Sequence, residues 1–231
     1  MAFTIRAATP ADLPSIATLD IAAHKPASAL LNMDLLPPDD IHALYASRYA
    51  HLLAQPDRYR FLVAVTSENE STRGGESESE SDIAGFLVGA RPRAKVGDGS
   101  LEEDDEEEWE PVFPDNAPVE TIAWFAGLMG AMKEDRMKYF KPDMWELEAL
   151  ATSPSHQHRG VASLLLTHWL QEVDAAHGTL YVRASRAGRR LYERLGCVER
   201  GVHAVDLRER GWMEPVVNIN MVRAARGKGK G

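Results

Sequence analysis

The sequence contains one cysteine, Cys197, in 231 residues. That count excludes both an internal disulfide framework and a Cys-rich zinc site. No apolar run approaches the roughly 20 residues needed to cross a bilayer. The first residues, Met1–Arg6, lack the apolar block of a signal peptide. These absences make a soluble, cytoplasmic protein with no membrane partner the expectation. Two familiar phosphate loops are also missing. There is neither a Gly-x-x-x-x-Gly-Lys-Ser/Thr sequence nor a Gly-x-Gly-x-x-Gly after a strand, which disfavours P-loop and Rossmann nucleotide chemistry.

The composition, 44% hydrophobic and 26% charged residues, is that of a globular chain. Its length suits a single domain. The net charge of −9 has one source. Nine acids and no Lys or Arg lie between Asp98 and Glu110, so the rest of the chain is formally neutral. A block of this kind repels itself and stays solvated. A second low-complexity stretch, Ser67–Ser81, is Ser-, Glu- and Gly-rich without an apolar side chain. The expectation is one domain over residues 1–231, with flexible insertions at about 67–81 and 98–118 and a flexible tail at about 224–231. Nothing in the charge pattern favours nucleic acid.

Around the insertions the order of elements is legible. Phe3–Arg6 reads as a strand, and Thr9-Pro10-Ala11-Asp12 as a helix start with a cap, a first-turn proline and an acid at the positive end. A second helix runs from Asp39-Asp40 to about Leu53. Tyr59–Val65 and Ile83–Ala90 read as an antiparallel hairpin with an overgrown turn. Val119 to Phe140 is predicted helical, with Ile122, Phe125, Met129 and Met132 on its apolar face. Then come a strand at Met144–Ala151, a helix from Gly160 to about His177, a strand at Leu180–Ala184, and a short helix Ala187–Leu195 stopped by Gly196. In the first of these helices Val161, Leu165, Trp169 and Val173 form one buried ladder. Strands Val198–Leu207 and Val216–Val222 close the chain. The fold class is α/β (mixed α+β), with one βαβ crossover between residues 144 and 184.

Chemistry concentrates at that crossover. Gln157-His158-Arg159-Gly160-Val161-Ala162 follows a strand and opens a helix. Orphan N–H groups and the positive helix end converge there, a geometry that binds phosphate. On the preceding strand Glu146 and Glu148 alternate with Leu147, so period-2 geometry puts both carboxylates on one face. Two acids in a central strand are costly to bury, so that face is expected to be wet. His156 and His158 lack acidic partners nearby, and no metal is expected.

The run Leu150 to Leu165, with Gln157-x-x-Gly160-x-Ala162 at its centre, resembles motif A of the GNAT family of acyl-CoA-dependent N-acetyltransferases. Downstream, Ala184-Ser185-x-x-Gly188-x-x-Leu191-Tyr192-x-x-Leu195-Gly196-Cys197 resembles its motif B, where an aromatic often stands in place of Cys197. The resemblance is strongest from Trp145 to Val198. It is similar to the small amine-acetylating members of fungi and bacteria, including those like puromycin acetyltransferase. It implies a central mixed, twisted and splayed β-sheet flanked by helices, with acetyl-CoA as co-substrate. The backbone of Leu150, Ala151 and Thr152 would pair with the pantetheine arm. Gln157, His158, Arg159, Gly160, Val161, Ala162 and Ser163 would hold the pyrophosphate, and Ser185 would contact the cofactor or a water. Tyr192 matches the tyrosine that protonates the leaving thiolate, and Glu146 or Glu148 the base.

The function implied is transfer of acetyl from acetyl-CoA to a primary amine of a small molecule, by direct attack. The alternatives are a protein or peptide N-acetyltransferase and a noncatalytic acyl-CoA-binding module. The chain is expected to be a monomer or homodimer. The substrate pocket is expected between the first two helices, the helix at 119–140 and the last strands, with Trp109, Trp124, Phe125 and Trp212 as candidate lining.

Overall fold

The computed structural model describes residues 2–23, 36–66, 83–93, 110–206 and 215–226. The stretch Ser67–Ser81, most of the acidic block, Trp109 and Trp212 lie outside them, as does most of the expected tail. The described elements are β1 (Phe3–Ala7), α1 (Leu13–Ala23), α2 (Pro38–Leu53), β2 (Tyr59–Thr66), β3 (Ile83–Ala90), α3 (Val119–Met137), β4 (Trp145–Thr152), α4 (Val161–Ala175), β5 (Leu180–Ser185), α5 (Arg189–Arg194), β6 (Val198–Val205) and β7 (Val216–Arg223). The seven strands make one sheet in the order β1-β2-β3-β4-β5-β7-β6. Only β4 and β5 pair in parallel; the other neighbours are antiparallel. The mixed, helix-flanked architecture expected from the sequence is the one observed.

Local chemistry places the first helices. The Asp12 carboxylate accepts from the Thr9 N–H and hydroxyl, each at 2.8 Å, and from both ends of the Arg6 fork at 2.7 Å. One buried acid thus joins the end of β1 to the turn that opens α1. The Arg6 guanidinium holds its carboxyl below the usual range. Between α1 and α2 the Tyr49 hydroxyl donates to buried Asp20 at 2.6 Å.

The core is in two layers, one on each face of the sheet. On one face α4 packs through Val161, Leu165, Trp169 and Val173, each at most 1% exposed, onto Leu62, Ala64 and Leu87. The predicted ladder is therefore the buried stripe. Trp169 comes so close to the sheet that a Cβ on Gly89 would lie 2.2 Å from its ring, so the helix can seat only over a glycine. On the other face α1 and α2 cover Phe61, Val63, Phe86 and Val88 with Ile16, Leu44 and Tyr49.

Two expectations are corrected. The inward face of α3 is Thr121, Phe125, Leu128 and Asp135, while Ile122 and Met129 are 37% and 36% exposed. The cause is polar: Asp135 accepts a 2.7 Å bond from buried Asn220, which in turn accepts from the Tyr181 hydroxyl at 2.5 Å. A helix face that buries a carboxylate misphases any apolar count. The second correction concerns β4. The face bearing Glu146 is expected to be wet, yet Glu146 is 6% exposed because Arg136 of α3 meets its charge. Both glutamates do share a face, but the strand is irregular. Its register with β3 shifts between Val88, opposite Ala149, and Gly89, opposite Leu147. Glu148 is the extra residue of a β-bulge, so strict alternation ends there. Leu147 and Leu150 both pack toward α4, whereas Ala149 and Ala151 pack toward α1 and α2.

Candidate active site

The parallel seam between β4 and β5 is short. It pairs Trp145 with Leu180, Glu146 with Tyr181 and Leu147 with Val182, and then stops. Yet β4 continues to Thr152 and β5 to Ser185. The bulge at Glu148 falls one residue past the last pair, where the extra residue bends the strand away. The result is a gap bordered on one side by β4 from Glu148 to Thr152. Leu150, Ala151 and Thr152 pair with β3 through Leu87, Phe86 and Gly85, which leaves their other edge toward the gap. An extended chain entering it would meet a strand edge.

At the far end of β4 the backbone turns sharply. A 3₁₀ turn at Pro154–His156 is followed by His158 at φ 60° and Gly160 at φ 84°, and α4 starts at Val161. His156 is buried, its ring edge-on to Phe3 at 5.9 Å and its Nδ1 within 3.0 Å of the Ser155 hydroxyl. It anchors the turn to the sheet. Gln157, His158 and Arg159 are exposed. Val161 is buried in the α4 layer, so only its N–H is available to a ligand. Ala162 and Ser163 are half-buried in the first turn. A Cβ built on Gly160 meets nothing within 4 Å. The loop is thus an open cradle beside the orphan donors of a helix N-terminus, the setting in which phosphate binds.

Tyr192 and the glutamates occupy opposite faces of the sheet. Tyr192, on α5, belongs to the α4 layer and is 8% exposed. Burial, with a smaller contribution from nearby Cys197, raises its phenol well above the ordinary value. Burial likewise pushes the Cys197 thiol up to about 11. Ser185 accepts the Gly188 N–H at 3.2 Å and so helps to start the turn into α5. Glu146 and Glu148 lie on the face covered by α1, α2 and α3. Between the two faces, the β4–β5 pairing ends at Leu147 and Val182.

The two glutamates have unequal surroundings. Glu146 is buried, and both its oxygens are taken by Arg136 of α3, one at 2.6 Å from Nε and the other from Nη2. Arg136 in turn stacks over the Phe140 ring at 3.6 Å. Burial first, and the charge of Glu148 second, push the Glu146 carboxyl above its ordinary range against the pull of Arg136. Glu148 is looser. Its Oε2 lies 3.6 Å from Arg48 Nη2 of α2, and the two side chains are 23% and 28% exposed. Neither arginine was singled out by sequence reasoning, because nothing local marks a helical arginine whose partner sits on a distant strand. Of the candidate lining aromatics, Phe125 is core, edge-on to Phe113 at 5.5 Å, and Trp124 is half-buried.

A family model described as an acetyltransferase (GNAT) domain matches residues 119–198, the segment from α3 through α5. Solved structures share the fold across nearly the whole chain. An acetyltransferase from Corynebacterium glutamicum ATCC 13032, described as histone acetyltransferase HPA2 and related acetyltransferase, is 21% identical, covers 99% of both chains and has a TM-score of 0.57. A phosphinothricin acetyltransferase from Sinorhizobium meliloti, in complex with acetyl-CoA, is 16% identical over 100% of this chain and 91% of its own, with a TM-score of 0.53. The PaiA N-acetyltransferase of Thermoplasma acidophilum, in complex with coenzyme A, is 11% identical over 97% and 99%, with a TM-score of 0.51. No curated protein matches the sequence.

Proposed function

On the premise that residues 119–198 are an acetyltransferase domain of the GNAT family, we propose that the chain moves acetyl from acetyl-CoA to the primary amine of a small molecule. The observation that carries this reading is the three-pair seam, which opens at Glu148 and runs along β4 to the Gly160 cradle. The loop of Gln157–Ser163 suits a pyrophosphate, and the edge of Leu150–Thr152 suits an amide-bearing arm. Acetyl-CoA, when bound, supplies an activated acetyl thioester.

The remaining work falls to side chains of this protein. Glu148 takes the proton that the substrate ammonium sheds. The freed nitrogen forms the new C–N bond as the C–S bond breaks. Tyr192, whose buried phenol is protonated, gives its proton to the departing sulfur, and the second proton, shed by the newly acylated nitrogen, restores the phenol. The products are an acetamide and free CoA. Much of the acceleration comes from holding the two reactants together, and general acid catalysis adds typically about 10²- to 10⁴-fold. Glu146, held by Arg136, is a structural neighbour of the base in this reading. Ser185 and the Gln157, His158 and Arg159 side chains are assigned to cofactor contact.

The test is thiol release from acetyl-CoA against a panel of small amines and basic peptides, with Tyr192→Phe alongside. Turnover with small amines, falling about 10²-fold or more in Tyr192→Phe while acetyl-CoA affinity holds, supports the proposal. Turnover confined to peptides would replace the small-molecule substrate, and a fully active Tyr192→Phe would remove the acid.

A further inference from the structure

At the mouth of the gap two arginine–glutamate pairs stand side by side, and they differ in whether a ligand can join them. In the Arg136–Glu146 pair both carboxylate oxygens are engaged, and the Glu146 side chain is 7% exposed. That pair is saturated. The Arg48–Glu148 pair approaches at 3.6 Å, outside hydrogen-bond range, with both side chains about a quarter exposed. It is an ion pair with room on its open side. The four charges cancel, as do those of Asp20 and Arg183, which act on Arg48 and Glu146, so a ligand of zero net charge leaves the neutral balance intact. A bare ammonium on Glu148 adds a positive charge and leaves Arg48 only the more distant, buried Asp20 as a counter-charge.

We infer that the acceptor is an α-amino acid or a close analogue, its ammonium on Glu148 and its carboxylate on Arg48. This rests on the acetyltransferase reading above for its catalytic sense, and on the ion-pair geometry for its binding sense. The dimensions agree. Charge-assisted hydrogen bonds are about 2.8 Å long. Standard bond lengths put the ammonium nitrogen of an amino acid about 2.7 Å from its nearer carboxylate oxygen. Nη2, the ligand oxygen, the ligand nitrogen and Oε2 then form a four-cornered ring. Its fourth side is the 3.6 Å gap already present. Neither protein side chain has to move. Arg48 thereby selects the substrate, and Glu148 both binds it and takes its proton.

The experiment compares the twenty standard amino acids with their decarboxylated amines and methyl esters in the thiol-release assay. For the preferred side chain, kcat/KM for the amino acid should exceed that of its amine and ester by about 10- to 100-fold, the usual range for a charge-assisted contact. Arg48→Gln should bring that ratio close to one, and Arg48→Lys should keep part of it. Equal or better use of the amines by the wild type overturns the inference while leaving the acetyltransferase reading intact. A ratio preserved in Arg48→Gln overturns it as well. If no compound releases CoA, the catalytic reading fails. Calorimetry of the same amino acids, with CoA present, then decides the binding: Arg48-dependent heat supports the inference, and no heat from any of them overturns it.

Discussion

The two ends of the β4–β5 seam use the same residue types for opposite purposes. At the closed end Trp145, Glu146 and Leu147 are all buried; Glu146 is gripped by Arg136, and the neighbouring Tyr181 is tied through Asn220 to Asp135. At the open end Glu148 meets Arg48 without a hydrogen bond, and the strand edge ends in an exposed loop. Removing one partner from the closed end strands a buried charge. At the open end both side chains are about a quarter exposed, so removing one leaves the other within reach of solvent. A tightly paired half therefore closes the seam, and the loosely paired half is the one proposed to bind substrate.

The sharpest break of that comparison is Gly160→Asp. A side chain in the open cradle, carrying a charge like that of phosphate, should remove detectable acetyl-CoA binding by calorimetry. The melting temperature should fall only modestly, since Asp tolerates positive φ better than most residues. Arg136→Ala belongs to the other end. It should cost about 3 kcal/mol of stability in denaturant unfolding, as breaking a buried pair does. An unchanged midpoint would show that the closed end is not held by this pair.

Glu148→Gln should lower kcat/KM about 10²-fold near neutrality. The defect should shrink as pH rises toward the pKa of the amine, where free base becomes abundant. Glu146→Gln should show a smaller defect with no such pH trend; a reversed ranking would move the base to Glu146. The smallest effect is expected far from the seam. Asp12 has its carboxyl depressed by Arg6, so its contribution is present above the unfolded carboxylate pKa and lost as pH falls through the folded value. Asp12→Asn should cost about 1 kcal/mol at neutral pH, and the difference from wild type should vanish in acid.

The α4 ladder was legible because a single apolar stripe at helical spacing has one way to be buried. The motif from Gln157 to Ala162 was legible for a similar reason: loop, glycine and helix start are local in sequence. The inner face of α3 was not, because Asp135 is paired with Asn220 from 85 positions away. The bulge at Glu148 is equally hidden. It is a register choice made against β3, and the alternation of β4 alone contains no trace of it. The unequal pairing of Glu146 and Glu148 follows from which helix brings an arginine, information carried by tertiary packing alone.

The stretch of β4 that β5 leaves unpaired also has a length. Its five residues, Glu148 to Thr152, at roughly 3.3 Å each, extend about 16 Å. On the proposed reading this edge works as a gauge between the acyl end and the phosphate end of the carrier. With Trp169 wedged over Gly89, α4 cannot slide along the sheet to shorten it. A truncated acyl thioester that lacks the nucleotide would fill the open end without reaching the cradle. It would forfeit the loop's contribution to binding however well its acetyl group fitted.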